Sequence, residues 1–506
     1  MREMQIKLAG KPANKGKLLE ALALANAPVV RHCEHHFDTP SGELAGAGLS
    51  LAMCQAGGRW TQRLLACSEH DNTRMADRVE VTTSRRSGLP AVDPGRHRTQ
   101  AARLALDKAL AGRASQPESS WIEHFRLRFT RRTRTMDAEG GQLEISLDEG
   151  AIDIDGRRLP VCEVTMSLQS GQGLAPMFDL AHRLVRDHRF CLTTVDAPWQ
   201  GLALVFPSSP ARVACASPVK FDRSIQGDQQ LRTMVAHCMR QILPNASWLA
   251  AGSCQPEQVH QLRVGLRRLR TVLRELGVLA DDADPAWDQP LTKAFRALGL
   301  QRDRELMLHK LAPQWQAAGA PAVANLPMPD PVPGALRRAV REPNFQSTLL
   351  DLLAFSWQPA SSPSRRQGRG ARKLLEGRLQ KLHRQVVADG KRFADLTEAQ
   401  QHRVRKRLKR LRYLSEFARP LFKGSEVDRY LKRLIPAQDA LGEHNDHAVA
   451  LSSWRRQQPR EAGEWFAVGW LTARQSASTQ ACLDALKKIN RAKRFWICGP
   501  ERKAHP

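Results

Sequence analysis

Apolar and polar residues alternate in short segments over the first 206 residues of the chain. This spacing is typical of strands that bury one face. It is clearest in residues 3–7, 143–147 and 162–168, whereas residues 17–24 and 177–184 have helical spacing. The pattern predicts an antiparallel sheet or barrel with accessory helices over residues 1–206.

The spacing of apolar positions changes after residue 222, where a period near 3.6 predicts long helices. Residues 207–210 read Pro-Ser-Ser-Pro, which is typical of a linker. Residues 361–372 are rich in Ser, Pro, Gly and Arg and predict a loop within the helical region. We therefore predict an α+β protein of two domains, residues 1–206 and 222–500, the second a pair of duplicated helical bundles at about 222–356 and 373–500.

An internal repeat supports the duplication. A histidine is followed by basic residues at offsets 3, 7, 8 and 10 in both copies. The copies are His260, Arg263, Arg267, Arg268 and Arg270, and His402, Arg405, Lys409, Arg410 and Arg412. About forty residues after each histidine, a Leu-Gly element ends in Arg302-Asp303 or Asn445-Asp446. Two shared elements at matching spacing indicate that the helical region arose by duplication.

Helical geometry of about 100° per residue separates each repeat into two faces. In the first copy, His260, Arg263, Arg267, Arg270 and Arg274 form a basic stripe opposite the leucines at 262, 266, 269, 273 and 276. Like charges at this spacing destabilise a helix unless an anion neutralises them, and guanidinium groups suit phosphate oxygens. The alternative is a solvated face paired with carboxylates of neighbouring helices. We interpret Asp303 and Asp446 as structural, each capping a helix or pairing with an arginine.

The net charge of the chain supports the interpretation that these basic stripes bind an anion. The chain carries a formal charge of +27, with 78 Lys and Arg against 51 Asp and Glu. Residues 1–210 hold 27 basic and 24 acidic residues, whereas residues 211–506 hold 51 and 27. The second half therefore carries nearly all the excess, which indicates a polyanionic partner.

Other features of the composition exclude several classes of protein. The ten cysteines include no C-x-x-C pair, which argues against a zinc ribbon or thioredoxin-type site and favours a reducing compartment. No apolar run reaches the roughly 20 residues of a membrane span, and the N-terminus lacks an apolar signal region. We expect no membrane partner and a cytoplasmic location. With two tyrosines and 6% aromatic residues, the chain offers few platforms for stacking single-stranded nucleic acid.

The repeated His-x-x-Arg-x-x-x-(Arg/Lys)-Arg-x-Arg motif and the later Gly-x-x-(Arg/Asn)-Asp elements resemble the two halves of a CHAD domain. The resemblance covers about residues 222–500. It implies paired helical bundles that bind inorganic polyphosphate through a basic surface, and association with polyphosphate granules. The implied binding residues are His260, Arg263, Arg267, Arg268, Arg270, Arg274, Arg302, His402, Arg405, Lys406, Lys409, Arg410 and Arg412.

The first 206 residues resemble a CYTH domain, which often precedes a CHAD domain. The resemblance is carried in order by the segments Glu3-x-Gln5-x-Lys7, His36-Phe37-Asp38-Thr39-Pro40, Gly58-Arg59-Trp60, Leu147-Asp148-x-Gly150 and Cys162-Glu163. It implies a tunnel-shaped barrel that hydrolyses triphosphates, in which acidic side chains hold Mg²⁺ or Mn²⁺ and basic ones hold the phosphates.

This chain departs from the CYTH pattern on both the metal side and the phosphate side. Gln5, Thr165 and Ser167 replace acids, while Ala52, Cys54 and Leu65 replace bases. Hard divalent ions need several carboxylate oxygens, and only Glu3 and Glu163 remain as weak metal candidates. We therefore expect no catalytic residues and no cofactor, with Mg²⁺ or Mn²⁺ relevant only if the domain is active.

Three functions remain open from the sequence. The first is binding of inorganic polyphosphate, with the sheet domain inactive. The second is a metal-dependent inorganic triphosphatase, and the third is sequence-nonspecific nucleic-acid binding, since both ligands present rows of phosphates. The sequence leaves open the oligomeric state, the preferred polyphosphate length and any contribution of residues 487–502.

Overall fold

The computed structural model describes residues 4–67, 74–81, 88–111, 121–138, 141–168, 173–207, 213–220, 225, 227–321, 327, 332–358 and 371–497. Glu3, most of the predicted 207–210 linker, most of the predicted 361–372 loop and the end of the 487–502 segment lie outside these residues. By contacts, the chain forms two compact units. The sheet unit is Met1–Cys215, Arg240–Leu262 and Leu336–Ala354, and the helical unit is Ala216–Met239, Arg263–Ala335 and Phe355–Pro506.

This division differs from the predicted boundary between residues 206 and 222, because two helical segments belong to the sheet unit. Within that unit, the Gln346 side chain accepts a hydrogen bond from the backbone N–H of Leu192 at 2.8 Å. The Ser247 hydroxyl likewise accepts from the N–H of Thr194 at 3.0 Å. These side chains satisfy backbone donors at the end of the sheet. The domain bounds given by the repeats stay a prediction.

The sheet unit contains one antiparallel sheet of nine strands in the order β5-β4-β3-β2-β6-β7-β8-β1-β9. The strands are β1 Met4–Ala9, β2 Val29–Asp38, β3 Leu49–Ala56, β4 Arg59–Cys67, β5 Arg74–Val81, β6 Ile122–Ala138, β7 Gly141–Ile154, β8 Arg157–Leu168 and β9 Cys191–Leu192. Arg63 on β4, the strand next to the edge strand β5, interacts electrostatically with Asp196, which lies just after the other edge strand, β9. The predicted α+β class and the three predicted strands are confirmed.

Alternation along the strands explains how the sheet buries its core. Ile6 and Leu8 on β1 are 1% and 0% exposed, and Val164 and Met166 on β8 are fully buried. Residues at the intervening positions share the opposite face, because side chains alternate along a strand. We call that opposite face, which carries Lys7, Glu34, Asp148 and Glu163, the inner face.

Five helices and a 3₁₀ turn accompany the strands in the first part of the chain. They are α1 Lys15–Ala21, α2 Glu43–Ala47, α3 Gln100–Leu110, α4 Ala175–His188 and α5 Ala197–Val205, with the turn at Pro94–Arg96. The predicted helix at 177–184 lies within α4, and the one at 17–24 corresponds to α1, which ends earlier. Buried Asp38 accepts hydrogen bonds from the N–H groups of Thr39, Leu44 and Ala45 and so fixes the start of α2.

Helices account for the regular structure described after residue 192. They are α6 Asp228–Ala251, α7 Pro256–Leu276, α8 Asp288–Leu306, α9 Ala312–Ala317, α10 Ala335–Val340, α11 Pro343–Trp357, α12 Ala371–Lys391, α13 Glu398–Ala418, α14 Gly424–Gln457 and α15 Ala462–Asn490. Short 3₁₀ turns lie at Gly277–Leu279, Pro285–Trp287, Phe393–Asp395 and Arg419–Leu421, and a π turn at Met307–Leu311 joins α8 to α9. Across the part of the chain that is described, no helix is both long and apolar enough to cross a membrane.

The predicted leucine faces form the core side of the two arginine-rich helices. In α7, Leu262, Leu266 and Leu269 are fully buried, and in α13 Val404 and Leu411 are equally buried. Thr397 and Gln400 form a capping box that fixes the first turn of α13. The opposite sides of α7 and α13 are therefore held in position by packing and capping, which sets where their basic side chains point.

Candidate anion-binding site

Four cations, two from each repeat, converge within the helical unit. They are Arg263 and Arg267 on α7, and Arg405 and Lys409 on α13, and we call them the central cation cluster. Burial, reinforced by Arg267, lowers the pKa of Arg263 to about 10. Burial, followed by Arg267, also lowers the pKa of Arg405. These mutual effects indicate that Arg263, Arg267, Arg405 and Lys409 lie close to one another.

The pKa of Lys409 is strongly lowered by its surroundings. Burial, followed by Arg267 and Arg405, lowers its pKa to about 6. An ammonium is disfavoured both by loss of water and by like charges nearby, so Lys409 gives up its proton more readily than an exposed lysine. The central cation cluster is thus crowded with positive charge to the point that one member is largely neutral near pH 7.

Two carboxylates lie close to the central cation cluster. Asp303 and Asp446 interact with Arg263 or Arg405 at a distance, and burial raises the pKa of Asp303 against the opposing effect of Arg263. Asp446 forms an ion pair with Lys310, with its carboxylate 3.2 Å from the ammonium. Both aspartates lie inside helices, so neither is the helix cap that the sequence suggested. Asp446 pairs with a lysine rather than an arginine.

An aromatic ring and a glycine hold Arg263 in place. Its Nη1 donates a hydrogen bond to the carbonyl oxygen of Phe295 at 2.6 Å, and its guanidinium lies 4.2 Å from the centre of that ring. The guanidinium of Arg267 lies 5.1 Å from the same ring. A Cβ at Gly299 would come within 2.9 Å of the Arg263 Nη1. The glycine of the first Leu-Gly element therefore leaves space for this arginine. Phe295 was missed, because a single aromatic residue on α8 carries no repeat signal.

In the second repeat, the histidine motif and the later Leu-Gly element are in direct contact. The His402 Nδ1 lies 2.6 Å from the Asn445 Oδ1, which connects the start of α13 to the middle of α14. Burial lowers the pKa of His402, and Lys406, Arg405 and Lys409 lower it further against the effect of Asn445. The roughly forty-residue spacing in the sequence thus brings two side chains into contact. In the first repeat, His260 is half-buried on α7.

Arg268 was predicted to bind phosphate, but it is 1% exposed. It forms an ion pair with Glu416 at 3.6 Å, and its guanidinium lies 5.0 Å from the ring centre of Phe417. A step of eight residues turns a helix about 80° past the start of the stripe, which moves this position to the buried flank. Arg268 is therefore part of the packing between helices, and its contact with phosphate stays a prediction.

Three other predicted binding residues already have carboxylate partners. Arg270 pairs with Asp288 at 2.7 Å, Arg410 with Glu275 at 3.2 Å and Arg412 with Glu416 at 2.7 Å. For these positions the structure matches the alternative interpretation, a charged face neutralised by neighbouring helices. Arg274 and Lys406 are exposed, and half-buried Arg302 interacts electrostatically with Arg263 and Asp303.

The inner face of the sheet unit has a different arrangement of charges. The Lys7 ammonium lies 3.4 Å from Glu163 and 3.3 Å from Asp196. The other oxygen of Glu163 accepts a hydrogen bond from the N–H of Ala197 at 3.0 Å. Burial, opposed by Lys7 and supported by Asp196, raises the pKa of Glu163 to about 7. Both oxygens of the one described metal candidate therefore have partners within the protein.

Two further ion pairs on the inner face were missed by the sequence reasoning. Glu34 pairs with Arg63, and Asp148 pairs with Arg131 through two contacts of 2.6 Å. Burial alone would raise the pKa of Glu34, but Arg63 and His36 together hold it well below its usual range. Arg63 lies two positions before Leu65 on β4, so the period of two was the signal that could have revealed it.

Apolar side chains occupy much of the remaining inner face. Strand register pairs Glu34 with Leu127, and Leu127 with Ile152, so these residues share that face. Leu127 and Ile152 belong to a buried cluster that also contains Phe125 and Leu202 of α5. A Cβ at Gly201 would overlap Phe125 at 2.3 Å, which shows how closely α5 packs there. This part of the inner face is core rather than an open polar tunnel.

The described residues of the inner face therefore do not fit a divalent metal. Each of three described carboxylates on this face forms an ion pair with a basic side chain. The pairs are Glu163 with Lys7, Glu34 with Arg63 and Asp148 with Arg131. Throughout the described ranges, no three His, Cys, Asp or Glu side chains are grouped as they would be around a metal ion. Mg²⁺ and Mn²⁺ prefer several free carboxylate and water oxygens, which this arrangement lacks.

Comparisons with known proteins agree with the helical part of this description. Residues 233–455 match the family model of the CHAD domain. The crystal structure of the CHAD domain from the plant Ricinus communis is similar at 26% identity and a TM-score of 0.45, covering 56% of this chain and 97% of that one. A comparison with curated proteins finds no match.

Two other solved structures are similar at 14% identity. A putative adenylate cyclase from Bacillus halodurans covers 37% of this chain and 90% of its own length, with a TM-score of 0.25. A putative adenylyl cyclase from Hippeastrum, described as having a dominant triphosphatase activity, covers 38% and 90% with a TM-score of 0.26. The family match includes both arginine-rich helices, α7 and α13. Residues 233–455 of this chain therefore belong to the CHAD domain family.

Proposed function

We propose that this protein binds inorganic polyphosphate at the central cation cluster. The observation that carries the proposal is the convergence of Arg263 and Arg267 from one repeat with Arg405 and Lys409 from the other. Nearby carboxylates balance this charge only in part, since Asp303 and Asp446 are the two described above and Asp446 is also paired with Lys310. A row of phosphates supplies the missing negative charge and accepts bidentate hydrogen bonds from guanidinium groups.

The positive charge of the central cation cluster destabilises the fold, and a bound anion would remove this effect. Clustered, half-buried cations destabilise a fold through desolvation and repulsion, yet the leucine faces of α7 and α13 hold them in place. Arg274 on α7 and Lys406 on α13 are exposed and extend the positive field toward solvent, and half-buried Arg302 on α8 adds to it. The match to the CHAD family model over residues 233–455 supports polyphosphate as the polyanion, because resemblance to that family implies polyphosphate binding.

For the sheet unit we propose an inactive domain rather than a triphosphatase. The internal ion pairs of Glu163, Glu34 and Asp148 use the carboxylates that would hold a metal. The same pairs use Lys7, Arg63 and Arg131, which would otherwise hold phosphates. Release of phosphate from tripolyphosphate in the presence of Mg²⁺ or Mn²⁺ would contradict this part of the proposal and favour the triphosphatase alternative.

The binding proposal is tested by reversing charge inside and outside the central cation cluster. Arg267→Glu with Arg405→Glu should abolish calorimetric binding of long-chain polyphosphate while leaving helicity intact. Arg157→Glu with Arg158→Glu makes the same change of charge at exposed positions of the sheet unit and should leave affinity unchanged. Equal affinities for both double variants would place the binding site elsewhere.

Nucleic acid is the remaining alternative, and competition separates it from polyphosphate. Duplex DNA should displace polyphosphate only weakly, since no described element carries a base-reading motif and the aromatic content is low. Equal affinities for DNA and polyphosphate at matched salt would favour the alternative. In cells we expect the wild-type protein, but not the Arg267→Glu/Arg405→Glu variant, to associate with polyphosphate granules.

A further inference from the structure

Cys33, His35 and Glu123 form a connected group on the face of the sheet opposite the inner face. Cys33 and His35 flank Glu34 on β2, so their side chains point away from the inner face that carries Glu34. The Cys33 Sγ lies 3.4 Å from the His35 Nε2, and the His35 Nδ1 lies 3.0 Å from the Glu123 Oε1. A nucleophile, a base and a carboxylate that orients the base are arranged in this order in enzymes that use thiols. We call the three residues the Cys33 triad.

A β-bulge directs Glu123 to this group. The pairing of β2 with β6 skips one residue on β6, immediately after Glu123. Phe125, the next paired residue, lies in the buried cluster of the inner face, and regular alternation would turn Glu123 to that face as well. The bulge turns Glu123 to His35 instead, where Arg126 donates two hydrogen bonds to its carboxylate at 2.9 and 3.2 Å. Bulges redirect side chains in this way beside active sites.

The contacts within the Cys33 triad fix the path along which a proton can move. Burial alone would raise the pKa of Glu123, but Arg126 and His35 lower it, so its carboxylate is ionised and only accepts hydrogen bonds. The His35 Nδ1 therefore holds a proton, and the His35 Nε2 shares the next one with the Cys33 Sγ. Transfer of that proton to Nε2 leaves a thiolate beside a charged imidazole, which the Glu123 carboxylate stabilises. Burial raises the pKa of the Cys33 thiol against the effects of Arg126 and Arg128, so its attack on an electrophile depends on this base.

Two arginines lie beside the Cys33 triad. Arg128 is the cross-strand partner of Cys33, and Arg126 is that of His35. Both arginines line an open cleft of about 540 Å³. Cys33 is half-buried and Arg128 is exposed, with its Nε 3.5 Å from a carboxylate oxygen of Asp153. Guanidinium groups bind carboxylates through paired hydrogen bonds, so the cleft suits an electrophile that carries a carboxylate.

We propose that Cys33 is a reactive thiol that forms a mixed disulfide with a small, carboxylate-bearing disulfide bound in this cleft. The His35 Nε2 takes the S–H proton while the Cys33 Sγ attacks one sulfur of the small disulfide. A new S–S bond forms and the old one breaks, and the leaving sulfur departs with the electron pair and takes up the proton from His35. Cys33 is thereby oxidised and the small disulfide is reduced. The inference concerns the sheet unit alone and does not depend on polyphosphate binding.

Site-resolved kinetics test the proposal with the full-length protein. The protein is treated with dithiobis(nitrobenzoate), a disulfide with two carboxylates, and modification of each cysteine is followed by mass spectrometry of quenched samples. Exposed Cys254 is the internal reference, and buried Cys191 in β9 reports whether the sheet unit stays folded. Cys33 should react faster than Cys254, although it is half-buried and its pKa is raised. A rate at Cys33 equal to or below that at Cys254 would overturn the proposal.

Removal of the base separates a reactive thiol from one that is merely accessible. His35→Gln should slow modification of Cys33 about a hundredfold, the lower end of what a positioned general base contributes, and should leave the rate at Cys254 unchanged. Cys191 should stay unmodified in the variant. If it does not, Glu123→Gln replaces His35→Gln in the test, because it removes the orienting charge and should slow Cys33 several-fold. An unchanged rate at Cys33 in a variant that protects Cys191 would overturn the role of His35.

The charge of the small disulfide tests the role of the cleft. Cystamine is a disulfide with two ammonium groups, and Cys33 should prefer dithiobis(nitrobenzoate) to it by a larger ratio than Cys254 does. Arg128→Gln should reduce this preference several-fold. Arg103→Gln, an exposed change on α3, should leave it as in the wild type. A preference that persists in Arg128→Gln would exclude this cleft as the site where the disulfide binds.

Discussion

Buried charged side chains have different partners in the two units of this protein. On the inner face of the sheet unit, each described carboxylate of Glu34, Asp148 and Glu163 has a cation beside it. In the helical unit, the four basic residues of the central cation cluster lie together beside Asp303 and Asp446, and Asp446 already has a lysine partner. Paired charges stabilise a structure only while both partners remain, whereas unpaired like charges are tolerated where an external ion completes them. The contrast is that the inner-face carboxylates have cations beside them, whereas the cations of the central cation cluster lie next to one another.

The largest expected effect comes from breaking a pair in the sheet unit. Glu34→Ala leaves Arg63 buried without its carboxylate, and it should lower the free energy of unfolding by about 3–5 kcal/mol. Urea denaturation followed by circular dichroism measures the change. Glu20→Ala, at an exposed position on α1, is the control and should have little effect. A loss as small as the control's would mean that the inner-face pairs are solvated rather than structural.

The second effect is a decrease in the affinity of the helical unit for polyphosphate as the salt concentration rises. Binding about four phosphates with a slope of about 0.7 per contact predicts an affinity loss of roughly fiftyfold between 50 and 200 mM salt. Calorimetric titrations at several salt concentrations give the slope. Arg157→Glu with Arg158→Glu should leave the slope unchanged, because those residues lie outside the central cation cluster. A salt-independent affinity would contradict a polyanionic ligand.

The third effect is a pH dependence of stability that originates at Lys409 in the helical unit. The folded-state pKa of Lys409 is about 6, far below the roughly 10.4 of an unfolded lysine. Between these values the unfolded state binds more protons, so the free energy of unfolding should rise with pH over that window. Lys409→Met should flatten the rise and stabilise the protein at the acidic end. Lys381→Met, an exposed change on α12, should leave the rise intact; an unaltered rise in Lys409→Met would place its origin elsewhere.

The smallest effect compares the two glycines of the duplicated Leu-Gly element. A Cβ at Gly299 meets Arg263 at 2.9 Å, while one at Gly442 meets nothing within 4 Å. Gly442→Ala should stabilise its helix by about 0.5–1 kcal/mol. Gly299→Ala should gain less, because it displaces Arg263 from the Phe295 carbonyl, and should weaken polyphosphate binding several-fold. Thermal unfolding and calorimetry of both variants test this; matching results would show that Gly299 does not position Arg263.

Periodicity was sufficient to predict the backbone and part of the site. The leucines of α7 and α13 repeat at helical spacing, so their burial and the outward direction of Arg263, Arg267 and Lys409 follow from one helix at a time. Alternation likewise predicted the strands. The duplication then indicated that the two stripes share one space, because related sequences fold into related units.

The sequence did not predict which charged residues of distant elements form ion pairs. Arg268, Arg410 and Arg412 match the repeat as well as Arg405 does, yet Glu416 and Glu275 neutralise them. Which carboxylate meets which arginine depends on how the helices pack, and no local pattern encodes that. The same holds for Arg63 with Glu34, which depends on strand register.

Proton uptake on binding tests the unneutralised central cation cluster most directly. Polyphosphate is titrated calorimetrically near neutral pH in two buffers of different ionisation enthalpy, with wild type and Lys409→Met. The account predicts that wild type takes up close to one more proton per binding event than the variant, because the phosphates restore the charge of Lys409. Equal uptake by the two proteins, with binding intact, would contradict the claim that polyphosphate is bound where the two repeats bring their cations together.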